Sequence, residues 1–297
     1  MKVLITGANG LLGKHLIAKL LVKQYEIIAS GKGQSKFSYA NYPNWKYHSM
    51  DITNGEAVVK LISSTRPEVI IHAAAMTQVD ECELNKIDCW NTNVTATRFI
   101  VDAAREINAR IIFISTDFVF DGQQGPYKEE DDPNPVNYYG STKWAAEKAV
   151  MESALDWAIV RTVLVVGNRE DGQRQNILTW VKDKLEKGES IKVVDDQVRT
   201  PTFVEDLADG IMLVLEKNAN GIFHIAGKDT LTPYQIARET ARYLHLDLAL
   251  IEKAEAGSFS QAALRPPRTG FIIEKARKLL SYQPHSFREI LPAVFDF

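Results

Sequence analysis

Tyr139 and Lys143 stand four residues apart in Tyr139-Gly140-Ser141-Thr142-Lys143, at the start of a run through Ala145 to Met151 that reads as a helix. That spacing sets both side chains on one helix face. A phenol has an ordinary pKa near 10 and is a poor acid–base group at neutral pH. An ammonium within about 4–6 Å lowers such a pKa by about 1–3 units. The pair can then exchange a proton with a substrate oxygen while hydride moves at the adjacent carbon. A Tyr and a Lys four apart are common by chance, and the pair gains meaning from Ser115-Thr116-Asp117-Phe118, which follows the apolar run Ile111–Ile114. A hydroxyl there can hold a substrate carbonyl and turn it toward Tyr139. Thr116, Tyr139 and Lys143 are therefore the expected catalytic set.

A second element supplies the hydride carrier. Gly7-Ala8-Asn9-Gly10-Leu11-Leu12-Gly13 follows Val3-Leu4-Ile5 and opens a helical run. Glycines suit a backbone that turns tightly and approaches a pyrophosphate closely. The helix start adds amide donors and partial positive charge. Gly7, Asn9, Gly10, Leu11, Leu12 and Gly13 are thus expected to hold a dinucleotide. The next strand ends at Ala29-Ser30-Gly31-Lys32, without the acid that holds both ribose hydroxyls in an NAD site. Ser30 and Lys32 suit a 2′-phosphate, so NADPH is preferred, with NADH an alternative. Asp51-Ile52, after Lys46-Tyr47-His48, can flank the adenine or simply start a helix.

The elements that must carry these residues follow from hydrophobic pattern. Val3–Ile5, Ile27–Ala29, Val69–Ile71, Ile111–Ile114 and Trp157–Val160 are short apolar runs suited to strands buried on both faces. Helical patterns at Gly10–Lys23, Glu56–Ser63 and Asn91–Asn108 separate the first four. The alternation predicts an α/β fold with a doubly wound parallel sheet of Rossmann type, whose ligands sit at the carboxyl ends of the strands. Residues 1–165 form the expected NADP-binding domain with the Thr/Tyr/Lys set. Residues 166–297 form a smaller α/β substrate-binding lobe packed on it, with a soft boundary at 165–175. In that lobe Asn176–Lys187 and Thr232–Leu244 read as helices, Ile191–Val194 and Gly221–Ile225 as strands, and residues 173–175 as a loop.

Composition narrows the class. The 297 residues carry 35 Lys+Arg against 38 Asp+Glu, a net charge of −3, with 45% hydrophobic and 25% charged residues. That excludes disordered and fibrous chains, and the near-balanced charge argues against a nucleic-acid binder. No apolar stretch approaches the roughly 18 residues of a membrane span, and Met1-Lys2 runs straight into the first strand without a leader pattern. Two cysteines, Cys82 and Cys89, make no disulfide framework, which predicts free thiols and a cytoplasmic protein. The six His fall in no ligand cluster, and no catalytic metal is expected. The charge run Lys128-Glu129-Glu130-Asp131-Asp132 reads as a solvated loop.

With these residues in view, the chain resembles the extended short-chain dehydrogenase/reductase superfamily, and within it the dTDP-4-dehydrorhamnose reductases. Besides the segments above, the carriers are His72-Ala73-Ala74-Ala75, Thr77 with Val79-Asp80, Ser115 to Gly122, Arg161-Thr162, Asp196-Gln197, Pro201-Thr202 and Asp206-Leu207-Ala208. The resemblance implies hydride delivery from NADPH to the C4 carbonyl of a 4-keto-6-deoxy nucleotide sugar. Tyr139 would protonate the incipient alkoxide, Lys143 would also bind the nicotinamide ribose, and Thr116 would hold the substrate oxygen. It places Ala73, Ala74 and Ala75 at the cofactor, Asn93 in the helix that organises the site, and Thr77, Val79 and Asp117 beside the sugar. Related dehydratases carry a second carboxyl after Thr-Asp, where this chain has Phe118, so elimination of water is not expected.

The implied partner is a small-molecule nucleotide sugar, with no nucleic acid and no membrane, and many relatives are homodimers. A diphosphate-linked sugar needs basic groups, for which Arg199 and Arg265 in Pro-flanked segments are the candidates. Asn176 is a further candidate, while Trp180 reads as core. The chain departs from the family at Met76, Gln78 and Glu81, and Arg199 stands where the family has Gly. The alternatives are an NAD-dependent nucleotide-sugar epimerase and a non-catalytic dinucleotide-binding subunit like the relatives that regulate methionine adenosyltransferase.

Overall fold

The computed structural model describes residues 1–37, 42–168 and 175–296. The first part of the chain runs β1 Lys2–Thr6, α1 Leu11–Val22, β2 Glu26–Gly31, β3 Trp45–Ser49, α2 Gly55–Thr65, β4 Val69–His72, α3 Val79–Leu84 and α4 Lys86–Trp90. It continues with α5 Ala96–Ile107, β5 Arg110–Thr116, α6 Tyr138–Met151, β6 Trp157–Thr162 and β7 Val165–Val166. The remainder is α7 Ile177–Glu186, β8 Ile191–Val194, β9 Thr202–Phe203, α8 Val204–Glu216, β10 Gly221–His224, α9 Pro233–Tyr243, β11 Ile251–Ala254 and α10 Phe287–Phe295.

Seven strands form one parallel sheet in the order β10-β6-β5-β4-β1-β2-β3, the doubly wound arrangement expected. Period-two alternation explains how it is covered. Ile28, Leu4, Ile70 and Ile111 lie side by side across four strands and pack on Val58 and Ile62 of α2 and Ile100 of α5. Their neighbours Val3, Ile5, Ile71 and Ile112 face the other way, into a cluster with Leu16 and Leu20 of α1 and Leu207 and Ile211 of α8. Each such side chain contributes about 1.5–3 kcal/mol when buried. A smaller core, built on Leu178, Ile236, Phe287 and Ile290, joins α7, α9 and α10. A two-stranded sheet of β8 and β11 lies beside it.

Sequence order does not follow the sheet. The Gly221–His224 strand, expected in the second lobe, pairs with β6 at the sheet edge, and α8 packs on α1. Residues 204–224 therefore return to the nucleotide-binding layer from beyond the expected boundary. The strand β3 carries no apolar run and was not anticipated. Asn91–Thr95, expected as ordinary helix, forms a π turn between α4 and α5. In the charge run, Glu129 is buried and accepts the His224 backbone N–H at 2.9 Å, so the expectation of a wholly solvated loop fails there. Of the loop expected at 173–175, residues 173 and 174 lie outside the described residues. No described helix is long and apolar enough to cross a membrane.

Candidate active site

At the carboxyl ends of β1, β4, β5 and β6 opens a cleft of about 1310 Å³, bounded on its far side by residues of the α7 start. Gly7, Asn9, Gly10, Leu11, Leu12 and Gly13 line one end. Gly7 has φ +73°, and a Cβ on it would lie 2.8 Å from the Ala74 amide nitrogen. The turn after β1 therefore presses on the turn after β4, and only glycine permits it. Asn9 binds the next loop: its Oδ1 accepts the Lys36 N–H at 3.0 Å, and its Nδ2 donates to the Gln34 carbonyl and the Tyr47 hydroxyl. Lys32, largely exposed, pairs with Asp51 at 3.0 Å at the cleft edge. Asp51 also accepts from the Thr53 N–H and hydroxyl. It does not cap α2, whose cap is Asn54. Ser30 is fully buried and is not part of the cleft wall.

A directed hydrogen-bond chain locks these turns. The Thr97 hydroxyl gives its proton to the Asn93 carbonyl, so His72 carries its proton on Nε2 and its Nδ1 accepts from the Thr6 hydroxyl at 2.7 Å, which also accepts the Ala74 N–H at 3.2 Å. His72 Nε2 donates that proton to Thr97 at 3.0 Å. Burial brings the His72 pKa down to about 3, so the ring is neutral, as the chain requires. Asn93 accepts the Met76 N–H at 2.8 Å and donates to the Met76 carbonyl at 3.0 Å and to Thr142. Asn93 is thus buried behind the cleft wall, holding Met76 and α6 in place, rather than lining it.

Thr116, Tyr139 and Lys143 line the middle of the cleft together. The α6 helix starts at Tyr138, capped by Asn137, whose side chain accepts the Gly140 N–H at 2.8 Å. A Cβ on Gly140 would lie 2.0 Å from the Phe118 carbonyl oxygen. Glycine there lets α6 close on the Thr116 segment and sets Tyr139 against Thr116. The Lys143 ammonium donates to the Ile114 carbonyl at 2.8 Å and lies 4.0 Å above the Phe113 ring. The expected lowering of the Tyr139 pKa by Lys143 does not occur. Burial dominates and holds the phenol well above its ordinary value, against the hydrogen bond from Thr116. Burial also brings Lys143 down to about 7, opposed by Glu147. The Ser115 and Thr162 hydroxyls, in the same wall, are buried without a partner.

The remaining candidates separate. Thr77, Val79, Asp117, Asn176 and Arg199 line the cleft, as do Ile52 and Ala73 to Ala75, whereas Arg265 does not. Arg265 instead forms a two-toothed pair with Asp80, at 2.9 and 2.5 Å. Asn176 caps α7 and donates to the Gly167 carbonyl, and Trp180 packs on the small-lobe core. Arg199 is buried and donates to the Val198, Pro266 and Pro267 carbonyls and to Gln197. Lining residues not anticipated include Met50, Thr53, Leu164, Val165 and Ile177, apolar or neutral side chains that carry no motif. Among the described residues no group of three or more His, Cys, Asp or Glu could hold a metal ion.

A parallel seven-stranded sheet whose glycine turn and Thr/Tyr/Lys set open into one cleft defines the class: extended short-chain dehydrogenases/reductases. The chain belongs to the family of the RmlD substrate binding domain, whose model matches residues 1–297. It is 30% identical to a dTDP-4-dehydrorhamnose reductase of Aggregatibacter actinomycetemcomitans, over 98% of this chain and 97% of that one. It is 34% identical to methionine adenosyltransferase 2 subunit beta of Bos taurus, over 80% of this chain and 70% of that one. The crystal structure of dTDP-4-dehydrorhamnose reductase from Bacillus anthracis in complex with NADP superposes with a TM-score of 0.87 at 29% identity, covering 99% of this chain and 98% of that one.

Proposed function

We propose that the chain is an NADPH-dependent reductase of the C4 carbonyl of a 4-keto-6-deoxy nucleotide sugar, converting dTDP-4-dehydrorhamnose to dTDP-L-rhamnose, as a homodimer in the cytoplasm. One observation carries the proposal: a single cleft joins the glycine turn at one end to Thr116, Tyr139 and Lys143 in its middle. The close turn at Gly7 and the unpartnered Ser115 and Thr162 hydroxyls fit a dinucleotide with a polar reactive end. NADPH, when bound, supplies the hydride.

The chain's own residues do the rest. Residues 7–13 hold the pyrophosphate on the start of α1, and Lys32 meets the 2′-phosphate. Tyr139 gives its proton to the substrate oxygen, and its raised pKa keeps that proton in place through neutral pH. Thr116 donates to the same oxygen, and Lys143 places positive charge beneath it. Residues 166–297 contribute the sugar and nucleotide pocket, with Asn176 and Arg199 in its wall. Phe118, apolar, leaves no second carboxyl for elimination.

The test is NADPH oxidation by purified protein with dTDP-4-keto-6-deoxy-L-mannose generated in situ, beside a Tyr139→Phe variant. Oxidation that the variant loses is expected. No oxidation despite measured NADPH binding overturns the substrate. The likeness to methionine adenosyltransferase 2 subunit beta supports a second reading, a non-catalytic dinucleotide-binding subunit. It requires cofactor binding without turnover on any 4-keto sugar.

A further inference from the structure

Beside Tyr139 the cleft wall is apolar. Met76, Val79 and Phe118 line it there and pack on the buried cluster of Cys82, Cys89 and Tyr139. Their places are fixed. The Phe118 ring lies edge-on to Tyr139, with centroids 6.2 Å apart, and the Arg199 guanidinium sits 5.6 Å from the Phe118 centroid. Val79 is the first residue of α3. Met76 is held by its backbone. Its N–H donates to Asn93 Oδ1 at 2.8 Å, and its carbonyl accepts from Asn93 Nδ2 at 3.0 Å and from the Cys82 thiol at 3.5 Å.

The Met76 backbone therefore has no hydrogen bond left to offer, since its N–H and both carbonyl lone pairs are taken. The three side chains add only a thioether, a weak acceptor. A hydroxyl set against this patch gives up water without a replacement, which is costly. A methyl set there leaves water for an apolar wall and gains. Met76 suits that contact because an unbranched thioether adapts to the group it meets. Thr77, Asn91 and Thr92, also in the cleft wall, are the side chains that suit sugar hydroxyls. With the reacting carbonyl oxygen at Thr116 and Tyr139, the groups on the two flanking ring carbons are the ones that reach the patch. In a 4-keto-6-deoxy sugar one of those carbons bears a hydroxyl and the other a methyl.

We propose that Met76, Val79 and Phe118 form a socket for the C6 methyl, and that Met76 sets the preference for a 6-deoxy sugar over its 6-hydroxy counterpart. The assignment rests on the reductase reading for the orientation of the sugar. It gives a chemical sense to Met76, one of the positions at which the chain departs from its family.

Two nucleotide sugars that differ only at C6, dTDP-L-rhamnose and dTDP-L-mannose, decide it. Both carry a C4 hydroxyl and cannot react with NADPH, so calorimetric binding to the NADPH-saturated protein reads recognition without turnover. Wild type should bind the 6-deoxy sugar about 10–10²-fold more tightly, the range for a small change of substituent in an apolar pocket. Met76→Gln, of similar length but with a carboxamide to meet a hydroxyl, should reduce that ratio to about threefold or less. Met76→Leu, which stays apolar, should keep it. NADPH affinity should be unmoved in both variants, which separates the effect from a general disturbance of the cleft. Equal binding of the two sugars by wild type overturns the socket and leaves the reductase reading in place. So does a Gln variant with the wild-type ratio, or a Leu variant as indiscriminate as the Gln variant. A retained preference in a protein that oxidises no NADPH with dTDP-4-keto-6-deoxy-L-mannose sinks the reductase reading alone. Failure of both sugars to bind overturns both.

Discussion

Lys143→Met should make the protein more stable while removing its activity. Methionine keeps an unbranched chain of similar reach and carries no charge. In the wild type, burial brings Lys143 from 10.5 down to about 7, which corresponds to about 5 kcal/mol of resistance to its charge. Against that, the variant loses the 2.8 Å bond to the Ile114 carbonyl, about 1 kcal/mol. It also loses the ammonium 4.0 Å from the Phe113 ring centroid, about 1–2 kcal/mol. The net gain is about 2 kcal/mol, or about 4 °C in Tm for a chain of this size. The sign with pH follows from linkage. Between about 7 and 10.5 the unfolded chain holds a proton that the folded chain has lost, so wild-type stability gains from Lys143 as pH rises through that window. The Met variant lacks this gain. Its Tm advantage should be widest at and below pH 7 and narrow toward pH 9. Calorimetry on both proteins across that range, with NADPH oxidation in parallel, is the assay. A Met variant less stable than wild type at pH 7, or a gap that stays constant with pH, would refute the reasoning.

Lys32→Ala should raise KM for NADPH about tenfold, equivalent to about 1.4 kcal/mol, and leave NADH unchanged, because Lys32 meets only the 2′-phosphate; the ratio of the two KM values reads it. His72, held near 3 in the fold against 6.5 unfolded, contributes stability that is present above pH 6.5 and lost as pH falls. Between pH 6.5 and 4 the loss should be about 3 kcal/mol, measured by urea midpoints and flattened in His72→Gln. Asn93→Ala leaves the Met76 N–H without its partner and the Met76 carbonyl with only the weak Cys82 thiol donor, so it should cost about 2 kcal/mol and raise sugar KM more than it lowers kcat; denaturant melts and steady-state kinetics together check it.

What was legible in the sequence was local. Apolar runs such as Val69–Ile71 mark strands because both sheet faces are covered, so successive side chains are buried alternately on the two faces. The glycine turn is legible because φ and close approach at Gly7 admit no other residue. Tyr139 and Lys143 are legible because helix geometry alone puts residues four apart on one face. None of these needs knowledge of the rest of the chain.

What was not legible depends on partners far along it. Glu129 sits in a run of charges and differs from its neighbours only because the His224 amide, 95 residues on, meets its carboxylate. Arg265 has the composition of a phosphate ligand, but Asp80, 185 residues away, already holds its charge. Arg199 likewise spends its donors on carbonyls of a segment more than 60 residues distant. The sense of the Tyr139 and Lys143 pKa changes is of the same kind. Spacing says the two groups share a helix face, and from that a Coulombic lowering of the phenol follows. The fold buries both side chains, and desolvation is then the largest cause of each shift. Sequence spacing therefore identifies which groups react, while burial sets the proton each one carries, and burial is a property of the whole chain.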